Sequence, residues 1–122
     1  MRILKNKGFD RWAEKEGLND EAILKAAEEM EKGLYEGNFG GNVFKKRVSI
    51  GNRGKRGGAR TIVAFKIHNK AIFMYGFAKN QRENISGKEE KALKELAKVF
   101  LNFNDNQIDK AIQVGELIEV KL

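Results

Sequence analysis

The stretch GGARTIVAFKIHNKAIFMYGFAK, residues 57–79, decides the fold. Both of its apolar runs are rich in β-branched and aromatic side chains, which fit a pleated surface better than a helix. His68, Asn69 and Lys70 form a short polar break between them, so the pair reads as a hairpin of two largely buried antiparallel strands, the first over 59–68. Just upstream, Phe44, Val48 and Ile50 alternate with Lys45, Arg47 and Ser49, which predicts another strand with cations on its outward face. The loop GNRGKRGG, residues 51–58, joins that strand to the hairpin.

Outward from this centre the period becomes helical. Residues 2–7 read as a short strand, and Phe9, Trp12 and Ala13 then recur at helical spacing until Gly17 stops the turn. Asn19 is a good N-cap for a second helix carrying Ile23, Ala26, Ala27, Met30 and Leu34 as its apolar stripe. On the other side, Ser86 with Glu89 makes a capping box ahead of Leu93, Leu96, Ala97 and Phe100. Asn104 with Gln107 opens a shorter helix through Ile108, Ala111 and Ile112 up to Gly115, and Ile118, Val120 and Leu122 alternate like a final strand. The order β-α-α-β-β-β-α-α-β predicts an α+β fold, with helices packed on one face of a curved, mainly antiparallel β-sheet. At 122 residues, with no internal repeat or linker, one domain over 1–122 is expected.

Charge narrows the function. From Gly37 through Arg82 there is no Asp or Glu, while Lys45, Lys46, Arg47, Arg53, Lys55, Arg56, Arg60, Lys66, Lys70, Lys79 and Arg82 are all cationic. The remainder holds 13 basic against 17 acidic residues, so the overall charge of +7 is concentrated in the middle of the chain. Such segregation points to a polyanion, of which nucleic acid is the commonest. No cysteine is present, which excludes disulfides, thiolate metal sites and cysteine nucleophiles, and suits a reducing compartment such as the cytoplasm. The first residues mix charges with apolar groups, so neither a secretory signal nor a membrane span is expected.

Several chemistries are disfavoured by what the basic window lacks. Lys55 is followed by Arg56 and then by a strand, not by Ser or Thr and a helix, so the glycine-rich loop is no nucleotide-binding P-loop. Metal-dependent nucleases hold Mg²⁺ with carboxylates, and the window has none, although Glu83 could approach from its edge. A catalytic histidine pair is impossible because His68 is the single histidine. What remains is cationic chemistry. Glycines beside cations let backbone amides approach an anion, and Arg47, Arg60 and Lys79 fall on three successive predicted strands. A lysine crowded by other cations gives up its proton more easily and can accept one from a ribose 2′-hydroxyl, while arginines stabilise the charge on phosphorus.

The segments GKRGGARTIVAF, residues 54–65, and FMYGFAKNQREN, residues 73–84, resemble the RelE/HigB toxins of type II toxin–antitoxin systems. The resemblance covers about residues 1–102 and leaves 102–122 as a C-terminal helix-strand extension. It implies a microbial-RNase-like fold and a ribosome-dependent, metal-independent mRNA endonuclease that needs no cofactor. Its partners would be mRNA, the ribosome and a cognate antitoxin. Carried over by motif, Arg60, Lys79, Arg47 and Lys55 are the expected catalytic cations and Arg56 and Arg82 are expected to hold the RNA, as are Lys45, Lys46 and Arg53 of the basic window. Many members of that family place a tyrosine in a C-terminal tail, whereas this chain has only Tyr35 and Tyr75. A non-catalytic RNA- or ribosome-binding module and a ParE-like gyrase inhibitor are the alternative readings.

Overall fold

The computed structural model describes residues 1–51 and 57–121. In chain order the elements are β1 (Arg2–Asn6), α1 (Lys7–Glu16), α2 (Asp20–Glu31), β2 (Gly37–Gly40), β3 (Val43–Val48), β4 (Ala59–Lys66), β5 (Lys70–Ala78), α3 (Gly87–Asn102), α4 (Asp105–Gln113) and β6 (Leu117–Glu119). The strands form one sheet in the order β2-β3-β4-β5-β1-β6. Only β1 against β5 runs parallel, the other neighbours being antiparallel. The α+β class and the mainly antiparallel sheet are as expected from the sequence.

The helices, however, divide between the two faces of the sheet and do not gather on one. Phe9, Ala13, Ile23, Ala27 and Met30 of α1 and α2 pack with Val63, Phe65, Ala71 and Phe73 on one face. Ala97, Phe100, Ile108 and Ala111 of α3 and α4 pack with Ile62, Ala64, Ile72 and Met74 on the other. Alternate residues of β4 thus enter opposite cores, which is why its sequence is a continuous apolar run and not an alternation. At 10 residues α1 is too short to hold itself together in water. Burying Phe9 to 1% exposure against Phe73 contributes about 2 kcal/mol and fixes it on the sheet.

Local chemistry sets the ends of these elements. The side chains of Asn6, Asn19, Ser86 and Asn104 accept from the first-turn amides of the four helices, and Ser86–Glu89 and Asn104–Gln107 are complete capping boxes. Residues 67–69 close the hairpin, with His68 exposed at φ 58° and its backbone N–H donating to Glu31. At the end of α3 the buried Lys70 amine donates to the Phe103 carbonyl, satisfying an oxygen the helix leaves unpaired. Strand β6 pairs with β1 at one edge of the sheet. Arg2 fastens that edge, bonding Glu119 of β6 and Asp105 and Asp109 of α4. No helix among the described residues is long and apolar enough to cross a membrane.

Candidate nucleic-acid interface

Strand register brings the cations of the window together. Arg47 of β3 lies opposite Arg60 of β4, and Arg60 lies opposite Phe77 of β5. A bulge in β5 makes this possible. Ile62 pairs with Tyr75 but Val63 pairs with Phe73, so Met74 is an extra residue that shifts the phase of the strand. Tyr75 and Phe77 therefore share the α3 side of the sheet with Arg60 and Arg47, and Lys45, opposite Ile62, joins them. Gly76 faces the other way, where a Cβ would stand 2.2 Å from the Trp12 ring of α1.

Two arginines directly across a strand pair repel, and burial removes the water that would screen them. Arg60 is only 5% exposed. Its proton affinity is lowered, first by that burial and then by Arg47, with Glu36 opposing both. Glu36 accepts a 2.5 Å bond from the backbone N–H of Arg47. The Nε of Arg47 is buried and has no hydrogen-bond partner among the described residues. Arg47 stands at the sheet edge, where it also borders a groove under α2 with Asn19, Lys25, Glu29 and Ser49. A pair built this way does little for stability and much for any anion that enters.

Arg82 is tied to the same surface. Its guanidinium grips Glu89 with two N–H groups, donates from Nε to the Asn84 carbonyl at 2.9 Å and lies 3.4 Å from the Tyr75 hydroxyl. It also covers the Phe77 ring at 5.5 Å from the centroid. Glu89 is held down to about 2, chiefly by Arg82 and then by the Ser86 backbone N–H. Arg82 is therefore a positioned guanidinium whose charge is largely matched.

The other expected site residues fall in different places. Lys79 is exposed one residue beyond β5, beside a groove of about 490 Å3 that Ile50, Gly57, Gly58 and Asn80 also line. Lys45 is half-buried at its place on the α3 side. Lys46 is a correction. It turns to the opposite face, is 1% exposed, and pairs with Glu29 of α2 at 2.9 Å, so it is an internal tie and no RNA contact. Arg53, Lys55 and Arg56 lie outside the described residues. Among the described residues no three His, Asp or Glu groups stand close enough to hold a metal ion.

Four residues of this surface were not assigned to it from sequence: Phe77 and Glu89, which hold Arg82; Glu36, which meets Arg47; and Tyr75, whose hydroxyl lies beside Arg82. Glu36 is the last acid before the acid-free window, a signal that was available. The bulge that places Tyr75 on the α3 side of the sheet leaves no mark in a uniformly apolar run.

Comparison with known families fits this arrangement. The profile described as RelE toxin of RelE / RelB toxin-antitoxin system matches residues 1–120. No curated protein matches the chain. The family match continues through α4 and β6, beyond the part whose resemblance is visible in motifs alone. The chain accordingly belongs to the RelE toxin family, the toxin half of a toxin–antitoxin pair.

Proposed function

We propose that this toxin is a metal-independent endoribonuclease that cuts mRNA on the ribosome and so stops translation. The observation that carries the reading is the cross-strand Arg47–Arg60 pair, with Arg60 buried on the sheet face it shares with Tyr75 and Phe77. In the proposed reaction a ribose 2′-oxygen attacks the adjacent phosphorus and loses its proton to a base. The bond to the 5′-oxygen breaks, that oxygen takes up a proton, and a 2′,3′-cyclic phosphate remains. Arg60 and Arg47 stabilise the extra negative charge on phosphorus in the transition state. Lys79 and Lys55 carry the protons, since no histidine pair is available. Lys45, Arg53 and Arg56 hold the backbone, and Arg82 presents a planar donor set already oriented by Glu89.

Induced expression with mapping of transcript 5′ ends tests this reading, comparing the parent with Arg60→Met, which keeps much of the buried stem. The parent is expected to arrest growth and leave cuts in translated regions. Arg60→Met is expected to do neither while melting as a folded protein. Growth arrest with intact transcripts would instead support ribosome binding without cleavage, or gyrase inhibition.

A further inference from the structure

By charge alone Arg82 reads as a phosphate ligand, but its charge is already matched. Its Nε donates to the Asn84 carbonyl at 2.9 Å. One terminal nitrogen lies 3.0 Å from a Glu89 oxygen and 3.4 Å from the Tyr75 hydroxyl, and the other donates to the second Glu89 oxygen. The N–H groups of a guanidinium lie in its plane, so these bonds occupy the edge of the group and fix its orientation. Glu89 is held in turn by the Ser86 backbone N–H at the start of α3, 2.8 Å away. A phosphate arriving at this pair would meet a carboxylate as well as a guanidinium, which weakens the contact.

The faces of the group are a different matter. The Arg82 Cζ lies 5.5 Å from the Phe77 centroid, so that ring backs one side of the guanidinium, and Phe77 is itself 2% exposed. The Arg82 side chain is still 33% exposed. With its edge bonded and Phe77 behind it, the part that remains open is the opposite face, a flat surface of delocalised charge held in one orientation. Such planes stack on nucleobases. Phe77 is also the cross-strand neighbour of Arg60, which puts this surface beside the proposed phosphate site. We propose that the outward face of Arg82 stacks a nucleobase of the bound RNA, on a nucleotide next to the scissile phosphate, with Phe77 behind it and Glu89 holding it in place. The proposal rests on the RNA-cleaving reading and adds a contact to a base where charge alone suggests one to the backbone. Stacking grows with the area of the base, so purines are favoured at this position.

Equilibrium binding by the full chain tests this with three oligomers of one length, an oligoadenylate, an oligouridylate and an abasic ribose-phosphate chain. All are 2′-O-methylated, which blocks attack by the 2′-oxygen, so binding is read without cleavage. The parent should bind oligoadenylate best and the abasic chain least. Arg82→Lys keeps the charge and loses the plane; it should weaken oligoadenylate by about fivefold or more and leave the abasic chain within about twofold. Retained binding of the abasic chain also shows that the variant is folded. Arg82→Gln combined with Glu89→Gln removes the matched pair as a unit and keeps an oxygen to cap α3. This variant should lose the purine preference with its salt slope unchanged, whereas loss of a phosphate contact would lower that slope by about 0.7. A purine preference kept in both variants, or an abasic chain weakened as much as oligoadenylate, would overturn the proposal. A parent that binds none of the three oligomers would overturn the RNA reading on which it stands.

Discussion

Lys46 and Arg47 are neighbours in sequence with opposite fates. Alternation along β3 sends Lys46 inward with Phe44 and Val48, where Glu29 neutralises it, and sends Arg47 to the face of Arg60. The sequence contained this division, since the same alternation that put Arg47 outward put Lys46 on the apolar face. What it did not contain was Glu29, which comes from a helix packed above. Lys46→Met, which leaves Glu29 unpaired, is expected to cost about 2 kcal/mol in urea denaturation and to leave oligoribonucleotide affinity within about twofold. Arg47→Gln should do the reverse, keeping stability and lowering the salt slope of RNA binding by about 0.7. Gly76 makes a separate test of packing. Ala at this position would drive a methyl group into the Trp12 ring and is expected to destabilise by about 2 kcal/mol.

At the scale of elements, the chain advertises its helices better than its edges. Three of the four helix starts were legible, because Asn19, Ser86 and Asn104 are polar residues placed before an apolar stripe and two of them open full capping boxes, whereas Asn6 was read as part of a strand. Strand β2 was not legible: Gly37–Gly40, with two glycines and a single apolar side chain, has no alternation to read, and it exists because β3 offers it an open edge. The continuous apolar runs of β4 and β5 already required cover on both faces, so the expectation of helices on one face underused them. The start of α3 couples structure to the site, because Glu89 serves both the capping box and Arg82. Its carboxyl lies below the ordinary value, so the stability it adds is present above about pH 4.5 and is lost as the pH falls towards about 2. Acid melts of Glu89→Gln, which can still cap, should show a flatter loss of stability over that range than the parent. Equal slopes would remove the Arg82 contact from the account.

Across the whole molecule, charge is sorted as strictly as hydrophobicity. The acid-free middle of the chain builds the centre of the sheet, and acidic groups from the flanking segments return to pin it: Glu29 on Lys46 and Glu89 on Arg82. The motifs around residues 54–65 and 73–84 made the family legible. They could not show which cations stay exposed, since that depends on carboxylates remote in sequence. The central claim is that Arg60 acts on a phosphodiester cut by its own 2′-hydroxyl. Programmed ribosomes carrying an mRNA with one 2′-deoxy residue at the mapped cut site test it most directly. The account predicts that the parent cleaves the all-ribo message to a cyclic phosphate end, leaves the deoxy position intact, and loses at least about a hundredfold in rate with Arg60→Met. Equal cleavage of the two messages, or an undiminished rate in the folded variant, would contradict it.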